Sequence, residues 1–214
     1  MAHMQLRGLR RGLVQNMGRF LVIFLAFFLA AAVFCCLWPL PNAMAGVARD
    51  YFEEQDLMDL RMEFNVGIDP ATVGAVVSLP WVEWAEGAYT ADAVLVGDND
   101  MLVRVHSVTE NGLNRPMLLA GALPTQPREC AVERKVLEQT GLALGDKLRL
   151  NANDGALDHP LAFADFTITG VVDSPLYISN DRGAGAIGGG MAGGFVLLPE
   201  AAFKLDYYTD LYVK

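Results

Sequence analysis

Residues 20–38 read FLVIFLAFFLAAAVFCCLW, a run of 19 uncharged residues. At about 1.5 Å of rise per residue, a helix of this length spans roughly 28 Å, close to the ~30 Å hydrocarbon core of a bilayer. A helix also satisfies its own backbone hydrogen bonds in lipid. Trp38 suits the outer interface, and Pro39 and Pro41 are expected to end the helix. The stretch therefore predicts a transmembrane helix over residues 20–41.

The residues before this run are basic. Residues 1–19 contain no acid and carry four arginines, Arg7, Arg10, Arg11 and Arg19. Positive flanks stay on the cytoplasmic side of a membrane, which predicts a cytoplasmic N-terminus and an extracytoplasmic main domain, residues 42–214. Apolar residues also recur there at helical spacing, at Leu6, Leu9, Leu13, Met17 and Phe20. They indicate either an interfacial helix on the cytoplasmic leaflet or a plain basic flank, and both remain open.

A cleaved signal peptide is the alternative to a retained anchor. Residues 43–45 (AMA) match a small-residue cleavage site, and a basic segment precedes the apolar run. Signal peptides, however, have apolar regions of only about 7–15 residues. The longer run favours the retained anchor in the cell membrane.

The rest of the chain is acidic and nearly free of cysteine. Residues 20–214 contain 12 of the 16 Lys and Arg of this 214-residue chain and all 25 of its Asp and Glu, so their net charge is −13. An acidic surface argues against nucleic acid as a partner. Cys35 and Cys36 lie in the apolar run, so Cys130 has no partner for a disulfide within the domain. We expect Cys130 to be a small hydrophobic residue of a strand rather than a reactive thiol.

Residues 42–214 are predicted to form an α+β domain, because strands and short helices interleave without a strict βαβ rhythm. The predicted helices cover residues 45–55, 69–78 and 133–140. The predicted strands cover residues 57–64, 81–89, 91–96, 101–106, 130–132, 147–150, 166–172, 195–198 and 211–213. Trp81 and Trp84 would point to opposite faces of one strand, so at most one is a core residue. Either the other is covered by a loop, or it is exposed and could bind a partner.

No pattern in the chain favours covalent chemistry. Residues 183–188 (GAGAIG) fit GxGxxG, but Gly189, Gly190, Gly193 and Gly194 follow, and glycine at about 1 kcal/mol per residue opposes the helix that a dinucleotide site needs. His106 and His159 are 53 residues apart with no second ligand at metal spacing. No nucleophile elbow is present. We therefore expect no catalytic, cofactor or metal site.

Several short segments, in this order and spacing, resemble the FtsX-like/MacB-like ABC transporter permease family over about residues 16–214. They are residues 16–21 (NMGRFL), 121–124 (GALP), 128–132 (RECAV), 144–148 (LGDKL), 166–172 (FTITGVV), 174–179 (SPLYIS), 182–183 (RG) with the glycines after them, and 208–210 (YTD). The segment 174–179 with its glycine loop is the most specific of them.

The resemblance implies a non-catalytic permease subunit with a MacB-like periplasmic core domain. Its partners would be a cytoplasmic ABC ATPase, a second permease copy, the lipid bilayer, and an extracytoplasmic client such as a peptide, a lipoprotein, a drug or a cell-wall enzyme. The family has further membrane helices after this domain, so the chain is expected to be an N-terminal fragment, truncated within the domain. The alternative is a stand-alone anchored or secreted binding module.

Residues 174–194 are the candidate contact loop for a client or partner. The loop is rich in glycine and lies between two apolar strands, and loops on a rigid scaffold often carry function. Its candidate residues are Ser174, Pro175, Tyr177, Arg182, Gly183, Gly185, Gly188 and Gly190. A structural turn that covers the sheet explains the same pattern equally well.

Overall fold

The computed structural model describes residues 16–97, 100–109, 112–152, 159–179, 182–185, 187 and 190–214. The chain divides after Asp50 into two compact units. The predicted interfacial stripe before Met17 lies outside the described residues.

The first unit is helical. Helix α1 (Met17–Leu37) has no buried residue and is long and apolar enough to cross a membrane. It ends as expected before Pro39, with the Trp38 N–H donating to the carbonyl oxygen of Phe34 at 2.9 Å. The chain then re-enters a helix at once, in α2 (Leu40–Glu54), five residues before the predicted start at residue 45. Pro41 is compatible with this early start because the first helical turn needs no N–H donor from it.

In the described part of the second unit, after the end of α2, there are ten strands and two α-helices. The strands are β1 (Leu60–Ile68), β2 (Ala85–Ala88), β3 (Thr90–Val96), β4 (Met101–Ser107), β5 (Met117–Gly121), β6 (Glu129–Glu133), β7 (Lys147–Asn151), β8 (Asp165–Asp173), β9 (Gly194–Leu198) and β10 (Tyr208–Val213). The helices are α3 (Pro70–Val77) and α4 (Arg134–Thr140), and a 3₁₀ turn covers Glu200–Ala202. The prediction of an apolar N-terminal helix followed by an α+β domain is confirmed.

Six of the strands close into a barrel in the order β8-β6-β9-β4-β3-β7, because β7 also pairs with β8. Strand β8 is the closing element. Its first residues pair with β7, its last residues pair with β5 on the same edge, and β6 runs parallel to it on the other edge. The barrel therefore depends on one strand with three neighbours.

The barrel interior is the main core. Phe166 and Ile168 alternate inward along β8 and meet Val103, Cys130 and Val196 from the neighbouring strands. All five are almost completely buried. Burying a Val, Leu, Ile or Phe side chain contributes about 1.5–3 kcal/mol, so this cluster supplies much of the stability. Cys130 is a core residue, as expected.

A second, three-stranded antiparallel sheet has the order β1-β10-β2. Its edge strand β1 and its central strand β10 are the first and last described strands of the chain, and Leu60 lies opposite Val213. Helix α3 covers one face of this sheet through Val73. The start of α3 is capped as predicted, because the Asp69 carboxylate accepts a hydrogen bond from the Thr72 N–H at 2.9 Å.

Two sequence-based expectations were wrong or incomplete. The strand predicted over residues 81–89 covers only Ala85–Ala88, and both tryptophans are exposed, Trp81 at 74% and Trp84 at 42%. Pro80 and the turn around it precede the strand, so the tryptophans do not alternate across a sheet. Strand β5 was not predicted, because its pairing with β8 leaves most of its residues exposed.

Replacing Gly121 with alanine is expected to lower the free energy of unfolding by about 2–3 kcal/mol. Gly121 has φ +76°, and a Cβ there would overlap the carbonyl oxygen of Thr169. Guanidinium unfolding of the detergent-solubilised chain, followed by tryptophan fluorescence, measures the change. Gly74→Ala is the control: its Cβ meets nothing within 4 Å in α3, and stability should rise by up to about 1 kcal/mol. Equal midpoints for the two variants would contradict the β5–β8 packing.

Candidate functional site

The segment after β8 turns back over the barrel rather than away from it. Ser174 and Pro175 are buried. The Tyr177 N–H donates to the Ser174 carbonyl oxygen at 3.1 Å, and the Leu176 N–H donates to the Ser174 hydroxyl at 3.3 Å. This tight turn directs the Tyr177 ring against Phe195 of β9, with ring centroids 5.0 Å apart.

Tyr177 begins a line of polar side chains. Its hydroxyl lies 2.6 Å from Nε2 of His106, and Nδ1 of His106 lies 3.0 Å from the Thr90 hydroxyl. Burial keeps the Tyr177 phenol protonated by raising its pKa to about 12. The imidazole thus bridges two hydroxyl groups, donating from one nitrogen and accepting at the other.

His106 is neutral in this setting. It is almost completely buried on β4, and burial, together with the nearby cations Arg61 and Arg104, lowers its pKa to about 3. A charged imidazolium would have to be desolvated beside two guanidinium groups. His106 is therefore a fixed structural link at physiological pH.

Arg182 faces inward and forms a buried ion pair with Glu133. Its Nε lies 3.2 Å from Oε2 of Glu133, and both side chains are only 6% exposed. The guanidinium also lies 4.8 Å from the centre of the Tyr177 ring, and the Phe195 N–H donates to the same carboxylate at 3.2 Å. The charge pair thus joins the loop after β8 to β6 and β9.

The polar line continues into the small sheet. Arg61 of β1 donates from Nε to the Asp210 carboxylate at 2.8 Å and from Nη2 to the Thr90 hydroxyl at 3.3 Å. Thr90 also donates its N–H to the Thr209 hydroxyl at 2.6 Å. Contacts at Thr90 therefore link the barrel and the small sheet.

The described part of the glycine loop is a hairpin-like turn and not a helix start. Ala184 bridges Met191, the Gly185 N–H donates to the Gly190 carbonyl at 2.9 Å, and Arg104 donates to the Ala184 carbonyl at 2.9 Å. Gly188 lies outside the described residues. The described residues do not have the helix that a dinucleotide fingerprint requires.

A cleft of about 680 Å³ opens between the small sheet and the barrel, beside this loop. Strands β1 and β10 line one side, and β3 and β4 line the other. Two ion pairs lie along it, Arg61–Asp210 at 2.8 Å and Arg104–Asp92 at 3.0 Å. The cleft is therefore polar with its charges largely neutralised in pairs.

The described residues offer little for covalent or metal chemistry. Burial raises the pKa of the Cys130 thiol to about 12, so it is not a thiolate at neutral pH. Within the described ranges, no three His, Cys, Asp or Glu side chains are grouped closely enough to hold a metal ion.

The structure separates the predicted loop residues into two groups. Ser174, Pro175 and Arg182 are buried, whereas Gly190 is exposed and Tyr177 is half-buried. Their role as a client contact stays a prediction. Four residues of the polar network around this loop were not predicted from the sequence, because each lies in another segment of the chain. They are Arg61, Thr90, His106 and Glu133. The signal in the sequence was a polar residue directly after a core residue in an apolar strand, such as His106 after Val105 and Glu133 after Val132. These two side chains lie on the strand face opposite the valines, where the loop after β8 contacts them.

No family model matches this chain, and no curated protein matches its sequence. Solved structures are similar to it. The extracellular domain of the ABC-type transporter YknZ from Gram-positive bacteria is 11% identical, with a TM-score of 0.47 over 71% of this chain and 74% of that chain. The periplasmic region of MacB from Actinobacillus actinomycetemcomitans is 12% identical, with a TM-score of 0.45 over 72% of this chain and 65% of that chain. A domain of a proposed permease from Porphyromonas gingivalis is 17% identical, with a TM-score of 0.41 over 71% and 68%.

Substituting Arg182 with methionine is expected to lower the free energy of unfolding by about 3–5 kcal/mol, because Glu133 would be left as an uncompensated buried charge. The double variant Arg182→Met/Glu133→Leu should recover part of the loss. Recovery stays incomplete since the Phe195 N–H loses its acceptor. Chemical denaturation of the unmodified chain, Arg182→Met, Glu133→Leu and the double variant gives the coupling between the two residues.

Arg149→Met is the matched control for this pair. Arg149 also bonds to a carboxylate, that of Asp165 at 2.9 Å, but both side chains are exposed. We expect no measurable change there. A loss at Arg182 as small as that at Arg149 would show that the Glu133 pair is not buried as described.

The unfolding free energy should fall on acidification because of His106. In the unfolded chain a histidine has a pKa near 6.5, whereas in the fold the pKa is lowered to about 3. Only the unfolded state takes up this proton between those values, so stability is fully present above about pH 6.5. It falls by about 2 kcal/mol between pH 6.5 and pH 5. Unfolding curves at several pH values measure the slope.

His106→Gln should flatten this slope, whatever it does to stability at neutral pH. His159→Gln is the control, since His159 is exposed and should leave the slope unchanged. The stability contributed by carboxyl groups with lowered pKa, such as Glu129 with its backbone hydrogen bonds from Gln126 and Thr125, is lost only below about pH 5. A slope that survives His106→Gln would contradict the buried neutral imidazole.

Proposed function

We propose that this chain is the N-terminal membrane helix and extracytoplasmic domain of an ABC transporter permease subunit. In this proposal the domain couples movement driven by a cytoplasmic ATPase to a client outside the membrane. The subunit itself does no covalent chemistry, works as a pair of permease copies, and leaves ATP hydrolysis to its partner.

The observation that carries the proposal is that several of the resembling segments meet in space around β8. Residues 121–124 join it through the Ala122 N–H to the Thr169 carbonyl at 2.8 Å. Residues 128–132 pair with it in parallel, and residues 144–148 join it through the Gly145 N–H to the Ile168 carbonyl at 2.8 Å. Residues 174–179 continue from its end. The resemblance thus follows one structural unit and not scattered short matches.

Helix α1 supports the membrane part of the proposal. Its 21 residues correspond to a length of roughly 31 Å, enough for the hydrocarbon core, and its only charge, Arg19, lies in the first turn. The basic residues before it favour a cytoplasmic N-terminus and an extracytoplasmic domain.

The strand order supports a coupling role. The segment after α2 is held to the domain by Asp56, whose carboxylate bonds to Arg115 and, at 3.0 Å, to Lys214. Strand β1, which follows this segment, is paired with β10 and linked by Arg61 to Thr90 at the barrel. A displacement entering through the segment after α2 would reach the barrel along these contacts. The exposed end of the loop near Ser179 is the proposed client contact.

A cysteine reporter at Ser179 tests location and coupling together. Ser179 is exposed, Cys130 is buried, and Cys35→Ala/Cys36→Ala removes the membrane cysteines. In intact spheroplasts that also express the transporter's ATPase, a membrane-impermeant maleimide should label Ser179→Cys from outside. The labelling rate should differ between active and hydrolysis-deficient ATPase, because movement changes the surroundings of the loop.

Asn16→Cys, directly before the start of α1, is the matched control and should be labelled only after permeabilisation. Outside labelling at residue 16 would reverse the orientation. Labelling at residue 179 that is the same with both ATPases would favour a stand-alone anchored module over a permease.

A further inference from the structure

The cleft between the small sheet and the barrel has the dimensions of a ligand site. Its volume of about 680 Å³ is within the range of roughly 300–1,000 Å³ that is typical of such sites. It is lined by residues of two packed sheets, Arg61 and Thr209 from one and Asp92 and Arg104 from the other. The described loop residues Ala184, Gly185 and Ile187 also border it.

The charges in the cleft select against a charged ligand. Arg61 is paired with Asp210, which is 2% exposed, and with Glu63, which also lines the cleft, lies 3.0 Å away and is 66% exposed to water. Arg104 is paired with Asp92, which is 10% exposed. An anion would have to compete with these carboxylates for the guanidinium groups, and a cation would have to compete with the guanidinium groups for the carboxylates. A neutral ligand can bind without separating either pair.

The same groups can still form hydrogen bonds of both kinds. A guanidinium has five N–H donors, and a carboxylate accepts about four hydrogen bonds. Arg104 donates from Nε to Asp92 and from Nη2 to the Ala184 carbonyl, which uses two of its five donors. Hydroxyl groups both donate and accept, so a ligand with several hydroxyls suits walls that contain donors and acceptors together.

An aromatic ring completes the lining. The Tyr207 ring packs directly against Gly67, where even a Cβ would overlap it. Tyr207 also lines the cleft and is 36% exposed. A ring that is held from behind by glycine and open on the other side offers an apolar face. The C–H face of a pyranose ring is a flat apolar surface that can stack on such a ring.

From these features we propose that the cleft binds neutral sugar residues of a glycan, with a ring face on Tyr207 and hydroxyls on Arg104 and Asp92. The inference rests on the proposed function in one respect: the extracytoplasmic location of the domain would expose the cleft to such a ligand. The binding itself depends only on the cleft.

An extended peptide is the main alternative ligand. β1 is an edge strand, and its pairing with β10 is irregular between Glu63 and Ile68, beside the cleft. Such an edge can add a peptide strand. The paired charges and the Tyr207 face favour a sugar, because backbone pairing would need neither.

The test uses the full chain in a detergent without a sugar headgroup. The probes are three neutral trisaccharides, tri-N-acetylchitotriose, cellotriose and maltotriose, with acetyl-triglycine amide and inorganic phosphate as the peptide and anion probes. Ligand-observed NMR and calorimetry should show saturable binding of at least one trisaccharide, with a dissociation constant of about 1 mM or lower. The peptide and phosphate should bind at least about tenfold more weakly.

Two neighbouring substitutions provide the steric control. Asn65 lines the cleft, whereas Val66 is 90% exposed and does not line it. Asn65→Phe should therefore weaken sugar binding at least about tenfold, and Val66→Phe should leave it unchanged. Tyr207→Phe should retain binding within about threefold, and Tyr207→Leu should lose about tenfold. Unfolding curves of each variant confirm that the fold is kept.

The proposal is overturned if none of the trisaccharides binds, if the peptide or phosphate binds more tightly, or if Asn65→Phe and Val66→Phe act alike. These measurements involve neither ATP nor the ATPase. Their failure would therefore leave the Ser179 labelling result intact, and a failure of that labelling would leave the sugar measurements interpretable.

Discussion

The second unit depends on strand β8 having three neighbours. Its residues from Asp165 pair with β7 and its residues to Asp173 pair with β5, while β6 runs along the opposite edge. This arrangement closes the barrel and adds one further strand outside it. A slip of one residue would turn Phe166 and Ile168 away from the core, so the register is strongly determined by their burial. Because the register is determined, the position at which the chain leaves β8 is determined too.

The position at which the chain leaves β8 also determines where the following loop packs. Its glycines would leave it loosely constrained if backbone contacts alone held it. Arg182 brings its charge inside to Glu133, and Tyr177 brings its hydroxyl to His106. These buried partners make the inner part of the loop a structural element. The structural-turn alternative describes this inner part, whereas contact of the outer part near Ser179 with a client stays a prediction.

Polar side chains also define how the two sheets meet. Thr90 is the meeting point, because its hydroxyl contacts both Arg61 and His106. A purely apolar junction would bury more surface, but it would not leave a cleft lined by charge pairs. The same contacts that link the two sheets thus line the proposed sugar site. An occupant of the cleft would contact Arg61, so the proposed coupling and the proposed sugar binding would share this residue.

The sequence by itself determined the local features: the membrane-length helix α1, the Asp69 cap of α3, and the end of α4 at Gly141, which has φ +73°. Each depends on residues within one or two turns, and propensity and periodicity report those interactions directly. Most strands were predictable for the same reason.

Only the tertiary structure decided which strands pair, that Arg182 points inward, that both tryptophans are exposed, and that a cleft exists. The Arg61–Asp210 contact joins residues 149 positions apart, and the Arg182–Glu133 contact joins residues 49 apart. No local pattern encodes such contacts, because the first forms only when β1 pairs with β10 in the small sheet, and the second only when the barrel brings the loop after β8 against β6.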